Sequence, residues 1–180
     1  MIIGLVGEKL AGKDTAANYL VQKSGAEHFR FADILDSILE ELNLPISREN
    51  EVALGLGLRK IFGEHVLVKA LEKRLRKSWA KLIIVNGIRM DEMEVVKSWE
   101  GAQIIYITAP AQVRFERYQN RREKADDAVM DFEQFVKQDS GPTEVAIPEL
   151  GKKADFKIEN TGNLEDLHKK LDDVISKFKL

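Results

Sequence analysis

The chain has 180 residues, with 30 acidic and 28 basic side chains and a formal net charge of −2. This length suits one domain and buries enough surface for a full hydrophobic core. Hydrophobic residues make up 44% of the chain and charged residues 32%, a composition that excludes a disordered or collagen-like protein. The basic excess of a general nucleic-acid or membrane-surface binder is missing, so we expect neither as a partner.

Cysteine is absent and only three histidines occur, so disulfides, iron–sulfur clusters and thiolate zinc sites are excluded. No apolar run reaches the roughly 18 residues of a membrane span. Glu8 and Lys9 interrupt the N-terminal apolar run, which also lacks a basic leader, so it predicts a buried strand rather than a secretion signal. We expect a cytoplasmic protein, either a monomer or a homodimer.

Short β-branched runs alternate along the chain with longer amphipathic stretches. The runs predict strands at 1–6, 28–31, 81–85, 102–108 and 155–159. Apolar residues spaced by three and four predict helices at 14–23, 34–42, 54–62, 66–77, 91–99, 111–122 and 164–178. This alternation predicts an α/β fold over residues 1–180, in which one parallel sheet carries helices on both faces.

The loop between the first predicted strand and helix reads GEKLAGK and matches the phosphate-binding (Walker A) pattern G-x-x-x-x-G-K. Its glycines let backbone N–H groups converge on phosphate oxygens, and the following helix N-terminus adds positive charge. We predict that a nucleotide phosphate binds Gly7, Leu10, Ala11, Gly12 and Lys13, the last as a point charge at the β- and γ-phosphates. The alternative is a structural glycine turn that happens to carry a lysine.

The position after Lys13 departs from the pattern, because Asp14 stands where Ser or Thr would ligate Mg²⁺. A carboxylate beside a triphosphate is repulsive unless a divalent ion lies between them. We hypothesise that Asp14 faces Mg²⁺ directly or through water and that Thr15 bonds the α-phosphate. Alternatively, Asp14 is simply the cap of the following helix.

The loop GEKLAGKDT resembles that of the nucleoside-monophosphate-kinase-like group of P-loop kinases, in particular its GKDT branch. This branch includes viral deoxynucleoside monophosphate kinases, and dephospho-CoA kinases are similar in general plan. Weaker matches occur in the family's order at 31–35 (FADIL), 44–50 (LPISREN), 86–89 (NGIR) and 154–162 (ADFKIENTG). The resemblance implies a three-layer P-loop NTPase with five parallel strands, a helical acceptor-binding insertion at about 33–78 and a lid at about 121–142.

Two polar residues follow predicted strands, where ligands bind in a doubly wound sheet. Asp33 would be the general base if the acceptor is a hydroxyl, and would orient the substrate or cap a helix if the acceptor is an ionised phosphate. Asn86 stands where similar kinases often have Asp, which would hold a water on Mg²⁺. The charge of Asp14 would offset that loss.

Several arginines are candidates for contacts with the acceptor. Arg89 could clamp an acceptor phosphate through two parallel hydrogen bonds, although a surface salt bridge with Glu92 or Glu94 is the alternative. In the kinases that this chain resembles, the insertion after the second strand binds the acceptor. By that resemblance, Arg48 and Arg59 become substrate contacts.

A row of arginines lies on the predicted helix before the lid. Arg114, Arg117 and Arg121 are spaced by three and four and therefore share one face. We predict that Arg117 and Arg121 neutralise the transferring phosphoryl group, the alternative being a solvated charged face.

The turn after the last strand resembles the loop that meets the adenine ring in these kinases. This assigns Asn160 and Gly162 to nucleotide binding. An ordinary strand–helix connection with Asn163 as the helix cap is the alternative.

Together these features predict an ATP- and Mg²⁺-dependent phosphotransferase acting on a small nucleotide-type acceptor, a nucleoside or deoxynucleoside monophosphate. A dephospho-CoA kinase-like enzyme is the second reading. A nucleotide-binding switch or assembly ATPase is the alternative from another class, although such a protein needs no acceptor clamp.

Overall fold

The computed structural model describes residues 1–121, 130–141 and 144–178. Its strands are β1 (Ile2–Val6), β2 (Glu27–Arg30), β3 (Ile83–Asn86), β4 (Ala102–Thr108) and β5 (Phe156–Glu159). They form a five-stranded sheet in the order β2-β3-β1-β4-β5, and every neighbouring pair is parallel. The predicted parallel α/β sheet is confirmed.

Nine helices lie in these described ranges. They are α1 (Lys13–Ser24), α2 (Ala32–Glu41), α3 (Arg48–Phe62), α4 (Val66–Leu75), α5 (Met90–Ser98), α6 (Ala111–Arg121), α7 (Phe132–Gln138), α8 (Ile147–Lys153) and α9 (Leu164–Ile175). None of them is long and apolar enough to cross a membrane.

Three helices differ from the sequence prediction. Helix α3 begins at Arg48, six residues earlier than predicted, because the side chain of Ser47 accepts a hydrogen bond from the N–H of Asn50 and caps the helix. Helices α7 and α8 were not predicted. Each has seven residues, too few for apolar periodicity to emerge from the surrounding polar sequence.

Helices cover both faces of the sheet, which makes three layers. Apolar residues of α1 and α9, such as Leu20 and Leu171, pack with Ile3 and Ile105 on one face. On the other face α2, α4, α5 and α8 pack against a second cluster, which contains Val85 and others from the sheet. The central strands β1 and β4 are therefore buried on both sides, and the polar loops at their carboxyl ends are held on a rigid base.

Close packing behind the phosphate-binding loop gives a prediction for stability. A Cβ on Gly7 would lie 1.9 Å from the backbone oxygen of Ile107, and the residue has a φ of +155°. We expect Gly7→Ala to lower the free energy of unfolding by about 3 kcal/mol, because backbone must move to relieve the clash.

Gly57, inside α3, is the matched control, since a Cβ there meets nothing within 4 Å. Gly57→Ala should raise the free energy of unfolding by about 0.8 kcal/mol through helix propensity. Urea denaturation of both variants checks the pair. Equal stability of the Gly7→Ala variant and the wild type would contradict the close approach.

Candidate active site

The loop 7–13 connects β1 to α1 and turns sharply at Gly12, whose φ is +106°. Gly12 is also the N-cap of α1 and supplies no side-chain cap, so the first N–H groups of the helix are available to an anion. Asp14 lies inside the first turn of α1 and is not its N-cap residue. The loop therefore has the backbone arrangement that phosphate binding requires.

Two side chains hold the carbonyl groups of this loop. Arg117 donates from Nη1 to the oxygens of Leu10 and Ala11 at 3.1 and 3.3 Å, and from Nη2 to the oxygen of Asn160 at 2.8 Å. The buried Asn160 donates from Nδ2 to the same Ala11 oxygen at 2.8 Å. Arg117 thus contacts the loop backbone, and the role this geometry gives it is to position the loop.

Lys13 extends along the loop, and its Nζ donates to the backbone oxygen of Glu8 at 2.8 Å. Burial, together with the nearby positive charge of Arg89, lowers the pKa of Lys13 from 10.5 to about 8. The negative charges of Asp14, Glu144 and Glu8 act in the opposite direction. A bound anion such as phosphate would favour the charged form of the Lys13 amine and would therefore raise its pKa again.

Asp14 and Asn86 lie together, and Asn86 donates from Nδ2 to Oδ1 of Asp14 at 2.7 Å. The other amide atom, Oδ1 of Asn86, is buried and has no hydrogen-bond partner among the described residues. Exposed carboxylate oxygen beside an unpaired amide oxygen fits a hard cation such as Mg²⁺. The described residues contain no cluster of three or more acidic or histidine ligands, and Mg²⁺ in nucleotide sites takes its remaining ligands from phosphates and water.

A cavity of about 510 Å³ opens on one side of the loop. Its walls come from the loop, α1, α6 and the turn into α9, and they combine amide and apolar side chains. The lining residues are Leu10, Gly12, Thr15, Arg117, Asn120, Asn160, Gly162, Asn163, Leu164 and Leu167. The structure brings Thr15, Asn160 and Gly162 together at this cavity, which is large enough for a nucleoside.

A second cavity, of about 430 Å³, also borders the loop and shares Leu10 and Gly12 with the first. Here charged groups dominate the walls. Its lining residues are Lys9, Leu10, Gly12, Lys13, Asp14, Arg30, Ala32, Asp36, Ile46, Arg48, Glu51, Arg89 and Glu144. A smaller hollow of about 120 Å³ adjoins it beneath α3. We call this second cavity the charged cleft.

Arg48 and Arg89, which the sequence predicts as acceptor contacts, both line the charged cleft. Both donate from Nη2 to Oε1 of the buried Glu144, each at 2.9 Å. The side chain of Arg89 pairs with Glu144, and Glu92 accepts only from its backbone N–H, so the described contacts differ from the alternative of a surface salt bridge with Glu92 or Glu94. Burial lowers the pKa of Arg89 below its ordinary value, while Glu144 opposes that change.

The structure does not bring Asp33 and Arg59 to the charged cleft. Asp33 pairs with Arg30, whose Nε donates to Oδ1 at 2.7 Å, and it also accepts from the Arg30 backbone N–H. Arg59 pairs with the fully buried Glu92 and lines only the smaller hollow. The Arg59–Glu92 pair joins α3 to α5 and depends on helix packing, which sequence spacing does not reveal, whereas Asp33 and Arg30 are only three residues apart.

Sequence reasoning singled out Asp14 but missed the other acidic residues of the charged cleft, which are Asp36, Glu51 and Glu144. Asp36 and Glu51 share a hydrogen bond, and burial raises the pKa of Asp36 above its ordinary value. Glu144 lies just beyond the lid that the sequence placed at about 121–142. The one sequence signal that could have pointed to these residues is that Asp36 follows Asp33 by about one helical turn.

The predicted arginine row divides once the helix packs. Arg114 is buried, donates to the backbone of Ala109, and pairs with Asp139 at 2.6 Å. Arg121 is the last residue of α6, and its side chain lies outside the described residues. Most of the predicted lid, at 122–129 and 142–143, also lies outside them.

No protein-family model matches the chain. It is similar to archaeal proteins named UPF0200. With the UPF0200/UPF0201 protein of Archaeoglobus fulgidus it is 29% identical over 182 residues, which covers 98% of the chain and 55% of the relative. With the UPF0200 protein of Methanosarcina barkeri it is 27% identical over 98% of the chain and 95% of the relative. The chain thus spans about half the length of the first relative.

Several solved structures with a similar fold are named as kinases. Shikimate kinase from Acinetobacter baumannii in complex with shikimate gives a TM-score of 0.64 at 21% identity, covering 99% of this chain and 94% of that one. Shikimate kinase from Bacteroides thetaiotaomicron gives 0.60 at 16% identity, covering 98% of both chains. A sugar kinase from Janibacter gives 0.57 at 14% identity, covering 97% and 94%. The chain therefore shares the three-layer α/β fold of these proteins.

The lowered pKa of Lys13 gives a prediction for the pH dependence of nucleotide binding. A bound phosphate holds the amine charged, so its pKa in the complex lies above the value of about 8 in the free protein. ADP binding should take up almost no proton at pH 7 and close to one at pH 9, and affinity should fall by up to about tenfold per pH unit above pH 8.

Calorimetry in two buffers of different ionisation enthalpy measures this proton uptake. Phosphate groups lose their last proton near pH 6, so they do not contribute above pH 8. The control is Lys13→Gln, which keeps a hydrogen-bond donor and abolishes the titration. Equal proton uptake by the wild type and this variant at pH 9 would contradict the assignment.

Proposed function

We propose that the protein is an ATP-dependent phosphotransferase that transfers the γ-phosphoryl group to a small nucleotide-type acceptor, a nucleoside or deoxynucleoside monophosphate. One observation carries the proposal: two cavities with different walls meet at one loop and share its residues Leu10 and Gly12. The first has the amide and apolar walls that suit a nucleoside, and the second has arginines that suit an anion.

On the donor side, backbone N–H groups of the loop would bind the β- and γ-phosphates, and Lys13 would contact them as a cation. Thr15 lines the first cavity next to the loop and would donate to the α-phosphate. Asn160 and Gly162 would contact the nucleoside. Asn160 would then have two roles, since it would contact the nucleoside and its side chain also donates to the Ala11 carbonyl.

On the acceptor side, an ionised phosphate oxygen would attack the γ-phosphorus of ATP in line with the leaving group. The new P–O bond forms as the bond to the β-phosphate oxygen breaks, and ADP leaves. No proton needs to move, so the protein supplies position and positive charge. Lys13 and Arg89 would be the catalytic cations, and Arg48 would hold the acceptor. Arg121 remains a predicted further cation.

Asp14 and Asn86 would hold Mg²⁺, directly or through water. The ion, when bound, offsets the negative charge of the phosphates and of Asp14. Support comes from the unpaired amide oxygen of Asn86 and from the hydrogen bond that orients it beside Asp14.

Two other functions have less support. A hydroxyl acceptor, as in dephospho-CoA kinase-like enzymes, would need Asp33 as general base, yet Asp33 pairs with Arg30 and does not line the charged cleft. A switch or assembly ATPase would have no use for paired arginines in a second cavity. Because one similar kinase was solved with shikimate, an acceptor that carries a carboxylate group belongs in the substrate screen.

We predict that the correct acceptor accelerates ADP release from ATP at least about a hundredfold, because only it places a nucleophile at the γ-phosphate. A coupled assay over common nucleoside and deoxynucleoside monophosphates, dephospho-CoA and shikimate measures this. Slow hydrolysis that ignores every small molecule would refute the kinase proposal and favour the switch.

The role of Arg89 is tested in the same assay. Arg89→Lys keeps the charge but loses the planar fork, so the KM for the acceptor should rise about tenfold while the KM for ATP changes little. Arg76→Lys, on the exposed end of α4, is the matched control. A rise confined to the KM for ATP would place Arg89 on the donor side instead.

The proposed metal site gives a separate prediction. Asp14→Asn should reduce the gain in ATP affinity that Mg²⁺ provides by about tenfold, since one oxygen ligand loses its charge. Calorimetric titration of ATP with and without Mg²⁺ measures the gain, and Asp173→Asn on the exposed face of α9 is the control. An unchanged Mg²⁺ dependence would limit Asp14 to orienting Asn86.

A further inference from the structure

The carboxylate of Glu144 lies between two guanidinium groups in the charged cleft. Arg48 and Arg89 each donate from Nη2 to the same oxygen, Oε1, at 2.9 Å. The Glu144 side chain is only 5% exposed, whereas those of Arg48 and Arg89 are 40% and 25% exposed. The arginines can therefore be reached from the cleft by an incoming ligand, and the carboxylate that they hold is largely covered.

The two arginines come from separate parts of the fold, and Glu144 joins them. Arg48 begins α3, in the helical insertion, and Arg89 follows β3 at the carboxyl edge of the sheet. A carboxylate shared by two guanidinium groups has the charge and hydrogen-bonding pattern of a bound acceptor anion. The carboxylate of Glu144 thus occupies the position between the two arginines that would suit the anionic group of a substrate.

Glu144 also lies within electrostatic reach of the phosphate-binding loop. Its negative charge raises the pKa of Lys13, while the positive charge of Arg89 lowers it. Any anion that enters the charged cleft therefore meets repulsion from Glu144 as well as attraction from the arginines. Removal of this one carboxylate should change anion affinity more than removal of an acidic residue elsewhere.

We propose that Glu144 is an internal competitor for the arginine pair, and that it sets acceptor selectivity because only an anionic group on the acceptor can take its place. This proposal rests on the proposed phosphotransferase function and deepens it. A neutral sugar or alcohol cannot replace a carboxylate between two guanidinium groups, since both cations would be left without a counter-charge. The acceptor accordingly carries a phosphate or a carboxylate.

Inorganic phosphate is the probe that tests the competition without any turnover. Calorimetry should show that Glu144→Gln binds phosphate about tenfold more tightly than the wild type, because a charge-assisted competitor has been removed. The matched control is Glu149→Gln, which removes the same charge from an exposed residue of α8. Equal or weaker phosphate binding by Glu144→Gln would overturn the proposal.

Phosphate could also bind the loop at Lys13, so the location of the gain must be established. In the background of Arg48→Ala, the Glu144→Gln substitution should give less than about a twofold gain, because the arginine pair is gone. A full tenfold gain in that background would place the effect at the loop and refute competition for the arginines.

A purely structural role for Glu144 makes a different prediction. If it only joined α3 to the sheet, Glu144→Gln would lower the melting temperature and weaken phosphate binding. Glu144→Asp serves if Glu144→Gln does not fold. Its shorter side chain keeps the charge but reaches the arginines less well, so phosphate should bind a few-fold more tightly, and unchanged binding would overturn the proposal.

Acceptor kinetics distinguish a phosphate from a carboxylate as the anionic group of the acceptor. Glu144→Gln should lower the KM for nucleoside monophosphates if the group is a phosphate, and the KM for shikimate if it is a carboxylate. A lower KM for a neutral acceptor alone would overturn the proposal. Should no acceptor accelerate turnover, the phosphotransferase proposal fails while the phosphate titration still decides the role of Glu144.

Discussion

The geometry of the loop at 7–13 depends on one constraint: side chains from other elements donate hydrogen bonds to its backbone carbonyl groups. Arg117 and Asn160 together satisfy the oxygens of Leu10 and Ala11. A short loop can present its N–H groups to an anion only when its carbonyls have partners elsewhere. Both partners come from segments more than a hundred residues away. The glycines permit the loop conformation, and these contacts select it.

The same contacts link the donor side to the rest of the fold. Helix α6, which carries Arg117, is fixed by the buried pair of Arg114 with Asp139 and by aromatic packing of Phe115 against Phe135 of α7. Lys9 of the loop reaches Gln138 in that helix at 3.4 Å. Helix α7 thus supports α6, which lines the first cavity together with the loop, α1 and the turn into α9, so the conformation of the loop and the shape of the cavity are coupled.

The acceptor side is organised by charge pairing. Arginines in and beside the charged cleft have carboxylate partners, as in Arg89 with Glu144, Arg59 with Glu92 and Arg30 with Asp33. Such pairing lets a protein bury several cations without ligand, at the cost that an incoming anion must compete for them. Affinity for the acceptor then reflects a difference between two anions rather than the full strength of the arginines.

Sequence alone determined the parallel α/β architecture, the loop at 7–13 and the candidate set around it, because strand–helix alternation and glycine spacing are local properties of the chain. It did not determine which charged residues face ligand. Arg117 donates to backbone carbonyl groups of the loop, and Arg48 lines the charged cleft. Asp33 and Arg59 are instead held in ion pairs and do not line that cleft. Tertiary structure decided this for Arg117 and Arg59, since their partners come from elements that are distant in sequence and near in space, while Asp33 pairs locally with Arg30 at the end of β2.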